Sequence, residues 1–171
     1  NLTMLLKHFV EIGPPGCALS VSHKGRTIFE HYEGLADIET GRRIDKDTVY
    51  HMWSCTKVVT VTAAMILFER RKFLLCDPIE RYLPCFANPR YFSYEGSDTT
   101  SILPSRSIRV IDLMRMTSGL PYGGTNNLTQ QELMKFGGFW PKENITLQEF
   151  AARIAKVPLA FEPGTHWNYG F

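Results

Sequence analysis

The period of apolar and polar positions changes several times along the chain, and each change predicts an element. From Asn1 to Ile12 apolar residues alternate with Lys7, His8 and Glu11 on a helical period, so an amphipathic helix is expected. Gly13-Pro14-Pro15-Gly16 breaks it. Cys17 to His23 and Arg26 to Tyr32 then read as two strands joined by Lys24-Gly25, a β-hairpin. A polar connection through Asp37, Gly41 and Asp47 leads to Val49-Tyr50-His51-Met52-Trp53, after which Ser54 stands at an N-cap position before a helix from Val58 to Arg70. That helix is apolar nearly all round and is expected to be buried.

Beyond it, Asp77-Pro78 opens a turn toward Leu83-Pro84, and Asn88 to Ser107 reads as a long polar insertion carrying Tyr91, Phe92 and Tyr94. Further helices are predicted from Arg109 to Met116, stopped by Gly119 and Pro121; from Thr129 to Phe136; and from the N-cap Thr146 to Lys156. The class is therefore α+β, with helices dominating the second part. Only two strands are evident, and an isolated hairpin is marginal in water, so the sheet is expected to be completed elsewhere. The chain also stops at Phe171, just after the turn Glu162-Pro163-Gly164-Thr165, without an ordinary terminal element. The organisation expected is a helix and hairpin of a sheet domain over 1–50 and a mainly helical domain over 51–171. The rest of the sheet is expected beyond 171 or in another chain.

Composition narrows the function classes. The 171 residues are 44% hydrophobic with a net charge of +2, and Arg70-Arg71-Lys72 is the densest basic cluster, matching the last turn of a helix. No nucleic-acid partner and no membrane span are expected. Cys17, Cys55, Cys76 and Cys85 have neither a CxxC pair nor a disulfide-framework density, which favours thiols in a reducing, cytoplasmic setting over a periplasmic or secreted one. The Asn-x-Thr triplets at Asn1, Asn127 and Asn144 are read as chance. His8, His23, His31, His51 and His166 lack metal-ligand spacing, and Gly123-Gly124 and Gly137-Gly138 lack phosphate-loop surroundings. Neither a metal nor a cofactor is expected.

One short motif points to chemistry. Ser54-Cys55-Thr56-Lys57 sets a hydroxyl and an amine one helical turn apart. About one such tetrad is expected by chance in a chain of this length, so its context decides. In a buried apolar helix the Lys57 amine would be driven toward neutrality and could accept the Ser54 proton. The helix N-terminus favours developing negative charge, and the Ser54 backbone N–H is a candidate oxyanion donor. The structural alternative is a capping serine beside a solvated lysine.

The context is extensive. Asp47 to Lys57, Leu67 to Ile79 and Tyr82-Leu83-Pro84 resemble the active-site serine region of class C-like β-lactamases. More broadly they resemble the serine hydrolases that include penicillin-binding proteins and β-lactamase-like esterases. Val110 to Pro121 and Pro158 to Tyr169 match the same family in the same order. The resemblance implies an antiparallel sheet flanked by helices with a mainly helical domain inserted. It assigns Tyr169, after the Pro163-Gly164 turn, as general base or proton relay; nearby positive charge, naturally from Lys57, would favour the ionised phenol. Gly170-Phe171 follows Tyr169 where Ser or Asn is frequent, which resembles the esterase branch. Met116 stands where relatives commonly carry His and receives no catalytic role. The family's third motif, a Lys-Thr-Gly, His-x-Gly or Trp-x-Gly strand that supplies the second oxyanion donor, is expected beyond residue 171.

The resemblance thus implies a serine hydrolase with Ser54, Lys57 and Tyr169 as catalytic residues, acting on a small-molecule ester, amide or β-lactam through an acyl-enzyme, with carboxylesters preferred. β-Lactamase, D-aminopeptidase and D-alanyl carboxypeptidase share that step and stay open. A non-catalytic, split or degenerate binding protein is the alternative of another class.

Overall fold

In the computed structural model, which describes residues 1–95, 98–124, 127–138 and 144–170, the chain divides into two units, Asn1–Cys55 and Thr56–Phe171. Phe171, the last residue of the dipeptide after Tyr169, lies outside the described residues, as do residues 96 and 97 of the polar insertion.

The first unit opens with α1 (Leu2–Ile12), whose N-cap Asn1 accepts a hydrogen bond from the Thr3 N–H at 3.1 Å. Strands β1 (Gly16–His23) and β2 (Arg26–Asp37) pair antiparallel, and β3 (Arg42–Arg43) extends the sheet in the order β1-β2-β3. Lys24 and Gly25 both have positive φ, 48° and 76°, the mirror-image turn that matches strand twist. Strand β2 runs past the expected end at Tyr32 because Gly34 takes φ +83° where a Cβ would strike the Pro15 carbonyl oxygen. The unit ends in a single 3₁₀ turn, Trp53–Cys55.

The second unit begins with α2 (Thr56–Glu69). It starts two residues before the expected Val58, so Ser54 sits inside the preceding 3₁₀ turn and is not the N-cap. The expected burial is also absent: α2 has no buried residue, and Val58 and Val59 are 70% and 63% exposed. Apolar character all round a helix shows that it favours cover; it does not supply the covering segment. The helix closes in a Schellman motif, with Arg71 left-handed (φ 56°) and the Arg71 and Lys72 N–H groups donating to the Phe68 and Leu67 carbonyls.

The 88–107 segment, expected as an irregular insertion, contains a hairpin of β4 (Tyr91–Glu95) and β5 (Asp98–Ile102). Its aromatic and threonine residues suit a strand surface, and Tyr91 also bridges in parallel to Leu159. Among the described residues three helices follow: α3 (Val110–Met114), α4 (Leu128–Lys135) and α5 (Leu147–Ile154). Asn127 caps α4, and Thr146 with Glu149 forms a capping box on α5. α3 ends two residues before the expected Met116. Met116 takes the left-handed position (φ 59°) of a second Schellman motif, with the Thr117 N–H donating to the Asp112 carbonyl at 2.8 Å. The core of this unit gathers Leu133 of α4 with Ile79, Phe86, Ile108, Val157 and Leu159 from the segments between the helices and strands. The α+β class with small antiparallel sheets is therefore what the chain adopts.

Candidate active site

Ser54 lies exposed at the centre of the 3₁₀ turn, which is closed by the Cys55 N–H donating to the Met52 carbonyl at 3.0 Å. Trp53, just before it, has φ +45°, unusual for a bulky residue, and its side chain is 71% exposed. Backbone strain of this kind is often found at functional positions. His51 tilts against the Trp53 ring with centroids 6.0 Å apart. Ser54 belongs to the first unit, whereas Lys57 and Tyr169 belong to the second.

Within the second unit Lys57 and Tyr169, distant in sequence, meet: the Lys57 Nζ stands 4.8 Å from the centroid of the Tyr169 ring. An ammonium over the face of an aromatic ring is attracted by its quadrupole. Lys57 is half-buried on a helix without fully buried residues. Its neighbour is an aromatic ring. Tyr122 packs against Tyr169 on another side, with centroids 5.3 Å apart and planes tilted by 51°. Tyr122 escaped the sequence reading; its position directly after the Gly119-Leu120-Pro121 stop was the available signal.

The backbone explains how Tyr169 is delivered. Residues 160–168 run along 116–119 through three hydrogen bonds: Ala160 N–H to the Gly119 carbonyl at 2.8 Å, Gly164 N–H to Thr117 at 2.7 Å, and Asn168 N–H to Met116 at 3.0 Å. Gly119 has φ +80°, and a Cβ there would approach the Phe161 carbonyl oxygen to 2.6 Å, so this close pass requires glycine. Met116, given no catalytic role, thus acts through its backbone, turning the chain and accepting the last bond before Tyr169. One residue short of Tyr169, the same segment walls a cleft of about 700 Å³ whose lining includes Tyr91, Phe92, Phe161, His166 and Trp167.

Two of the histidines are engaged in local hydrogen bonds. His166 shares a 2.9 Å hydrogen bond with the Thr165 hydroxyl, and His31 one of 3.0 Å with Glu33. Among the described residues no cluster of His, Cys, Asp or Glu could hold a metal ion, and no helix is long and apolar enough to cross a membrane. All four cysteines are free thiols, with Cys55, Cys76 and Cys85 exposed.

Comparison with known proteins agrees with this architecture. Esterase EstB of Burkholderia gladioli is 30% identical over 159 residues, 90% of this chain and 37% of its own length. Two solved structures superpose on 99% of the chain. EstCE1, described as a hydrolase with promiscuous acyltransferase activity, matches with a TM-score of 0.82 at 23% identity over 42% of its length. The simvastatin synthase LovD of Aspergillus terreus matches with a TM-score of 0.74 at 21% identity over 44% of its length. The chain thus spans about two-fifths of the length of these proteins. A family model described as Beta-lactamase matches residues 3–170, and with nearly every described element inside that match, the chain belongs to the beta-lactamase family.

Proposed function

We propose that this protein is a serine hydrolase that cleaves carboxylic esters, and secondarily amides, through an acyl-enzyme. The Ser54 hydroxyl oxygen attacks the carbonyl carbon while its proton passes to the Lys57–Tyr169 pair. The tetrahedral intermediate collapses, the bond to the leaving alcohol breaks, and that alcohol takes the proton. Water then attacks the acyl-Ser54 ester, releasing the acid and returning the proton to Ser54. The Ser54 N–H is one oxyanion donor in this reading. The second comes from a strand of a complementary segment that also covers α2, whose exposed valines support such a partner.

The observation that carries the reading is the contact of the Lys57 amine with the Tyr169 ring, since it unites the residue one turn beyond the serine with the residue after the Pro163-Gly164 turn. The family adds support, because EstB is an esterase and EstCE1 a hydrolase. EstCE1 also transfers acyl groups, which favours a second reading in which an alcohol replaces water in deacylation.

The test is made on the protein as its gene encodes it. Ser54→Ala abolishes hydrolysis of 4-nitrophenyl butyrate and labelling by a fluorophosphonate; persistence of labelling in that variant refutes the role of Ser54. Nitrocefin serves as the companion substrate. Rapid nitrocefin turnover without ester turnover would replace the esterase by a β-lactamase.

A further inference from the structure

We propose that the Arg106–Asp112 ion pair is a positioning device for Tyr169, holding residues 116–119 as a rail on which the 160–168 segment docks and thereby fixing the phenol ring beneath the Lys57 amine. The inference rests on the reading of Tyr169 as a proton-transfer residue.

Asp112 is the centre of the device. It is only 4% exposed, although it sits in the five-residue helix α3, which is too short to stabilise itself. Its carboxylate accepts two bonds from the Arg106 guanidinium, at 2.6 and 3.0 Å, one from the Arg109 N–H at 2.8 Å and one from the Thr117 hydroxyl at 3.3 Å. One side chain therefore ties the residues before α3 to the residue after it. Burial pushes the Asp112 carboxyl up, but the Arg106 and Arg109 donors outweigh it and hold the group below the usual carboxylate range, so the pair is ionic.

Both partners then reach the segment that ends in Tyr169. Thr117, held through its hydroxyl by Asp112, accepts the Gly164 N–H, and its neighbour Met116 accepts the Asn168 N–H. Arg106 lies directly on the Pro163-Gly164 turn: a Cβ on Gly164, whose φ is +87°, would overlap the guanidinium. The adjacent Ser105 adds a tether, donating from its N–H at 2.8 Å and from its hydroxyl to the Glu162 carboxylate. The turn is thus gripped from both sides, and Tyr169 follows the last rung by one residue.

A buried ion pair is weak support for stability alone, because apolar residues of equal volume often serve as well. Apolar packing is non-directional and would let the 160–168 segment slide. A bidentate guanidinium–carboxylate pair has one geometry, which suits a register-setting role.

The experiment compares Arg106→Lys, which keeps the charge and loses the fork, with Thr117→Val, which removes only the hydroxyl tether. Both are made in the gene-encoded protein and read by ester kinetics, by thermal unfolding and by NMR of tyrosine labelled with carbon-13 at Cζ, with Tyr169→Phe identifying the resonance. The expected result is a cooperatively folded variant with KM within about twofold, kcat reduced about 10–100-fold, and a displaced Tyr169 signal. If Arg106→Lys fails to fold, Thr117→Val decides by the same readouts. A folded variant with wild-type kcat and an unmoved Tyr169 resonance overturns the positioning role. The outcome separates from that of the hydrolase reading: if Ser54→Ala leaves activity intact, the hydrolase mechanism fails, while the Tyr169 resonance still reports whether the clamp sets its position.

Discussion

The helices α2 and α3 invert the usual relation between hydrophobicity and burial. α2 is fourteen residues long and apolar on every face, yet none of its residues is buried. α3 has five residues with an aspartate at the middle, and that aspartate is one of the least accessible side chains in its unit. The difference lies in what each meets. Four donors converge on Asp112, satisfying its charge and drawing three stretches of chain together, whereas every residue of α2 stays at least partly exposed. Burial follows from the partner a segment finds, and a charge with enough donors can be buried before a valine is.

Substitutions at the two helices can break this comparison. The largest effect is expected for Asp112→Ala, which removes the Arg106 guanidinium's buried counter-charge and the acceptor of the Arg109 N–H and destabilises by about 3–5 kcal/mol in urea unfolding. Leu159→Ala, at a core position 1% exposed, costs about 2–4 kcal/mol with the resulting cavity as cause. The next effect is on pH dependence. Asp112 and Asp77 are held below the usual carboxylate range, Asp77 by the Tyr82 hydroxyl at 2.5 Å and the Leu74 N–H at 2.8 Å. Because folding lowers both pKa values, their contribution is complete above the unfolded value of about 3.9 and disappears as pH falls through the lower folded values. A urea series from pH 6 to pH 2 should therefore show stability falling in the acid range, with a shallower fall in Asp112→Asn. The smallest effect is expected on α2: Val59→Ser changes the stability of the 171-residue chain by about 0.5 kcal/mol or less. A loss of 2 kcal/mol or more there would mean that α2 is covered and would remove the contrast.

Much of the fold was legible because its signals are local. The Lys24-Gly25 turn, the Thr146 capping box and the apolar run after Ser54 each depend on residues within a few positions of one another. The ends of α2 and α3 fall at Glu69 and Met114, within two residues of the expected Arg70 and Met116. Both close through Schellman motifs whose left-handed residue is Arg71 or Met116 in place of glycine. The β4–β5 hairpin was hidden by its polar composition, since serine and threonine mark loops and strand surfaces alike. At the candidate site the Ser54 and Lys57 spacing was visible, and Tyr169 was reached through resemblance. Tyr122 was missed because its contact joins positions that no local pattern connects.

Short-range chemistry accounts for what the chain alone specifies here: which stretches become helix or strand, where Gly25, Gly34 and Gly119 must stand, and the one-turn offset between a hydroxyl and an amine. Folding in three dimensions was needed to bury Asp112 under Arg106, to lay residues 160–168 along 116–119, and to bring the Tyr169 ring to Lys57. These outcomes depend on pairing between segments far apart in sequence. A residue's propensity states what it can form locally, and only the meeting of distant segments selects the partner.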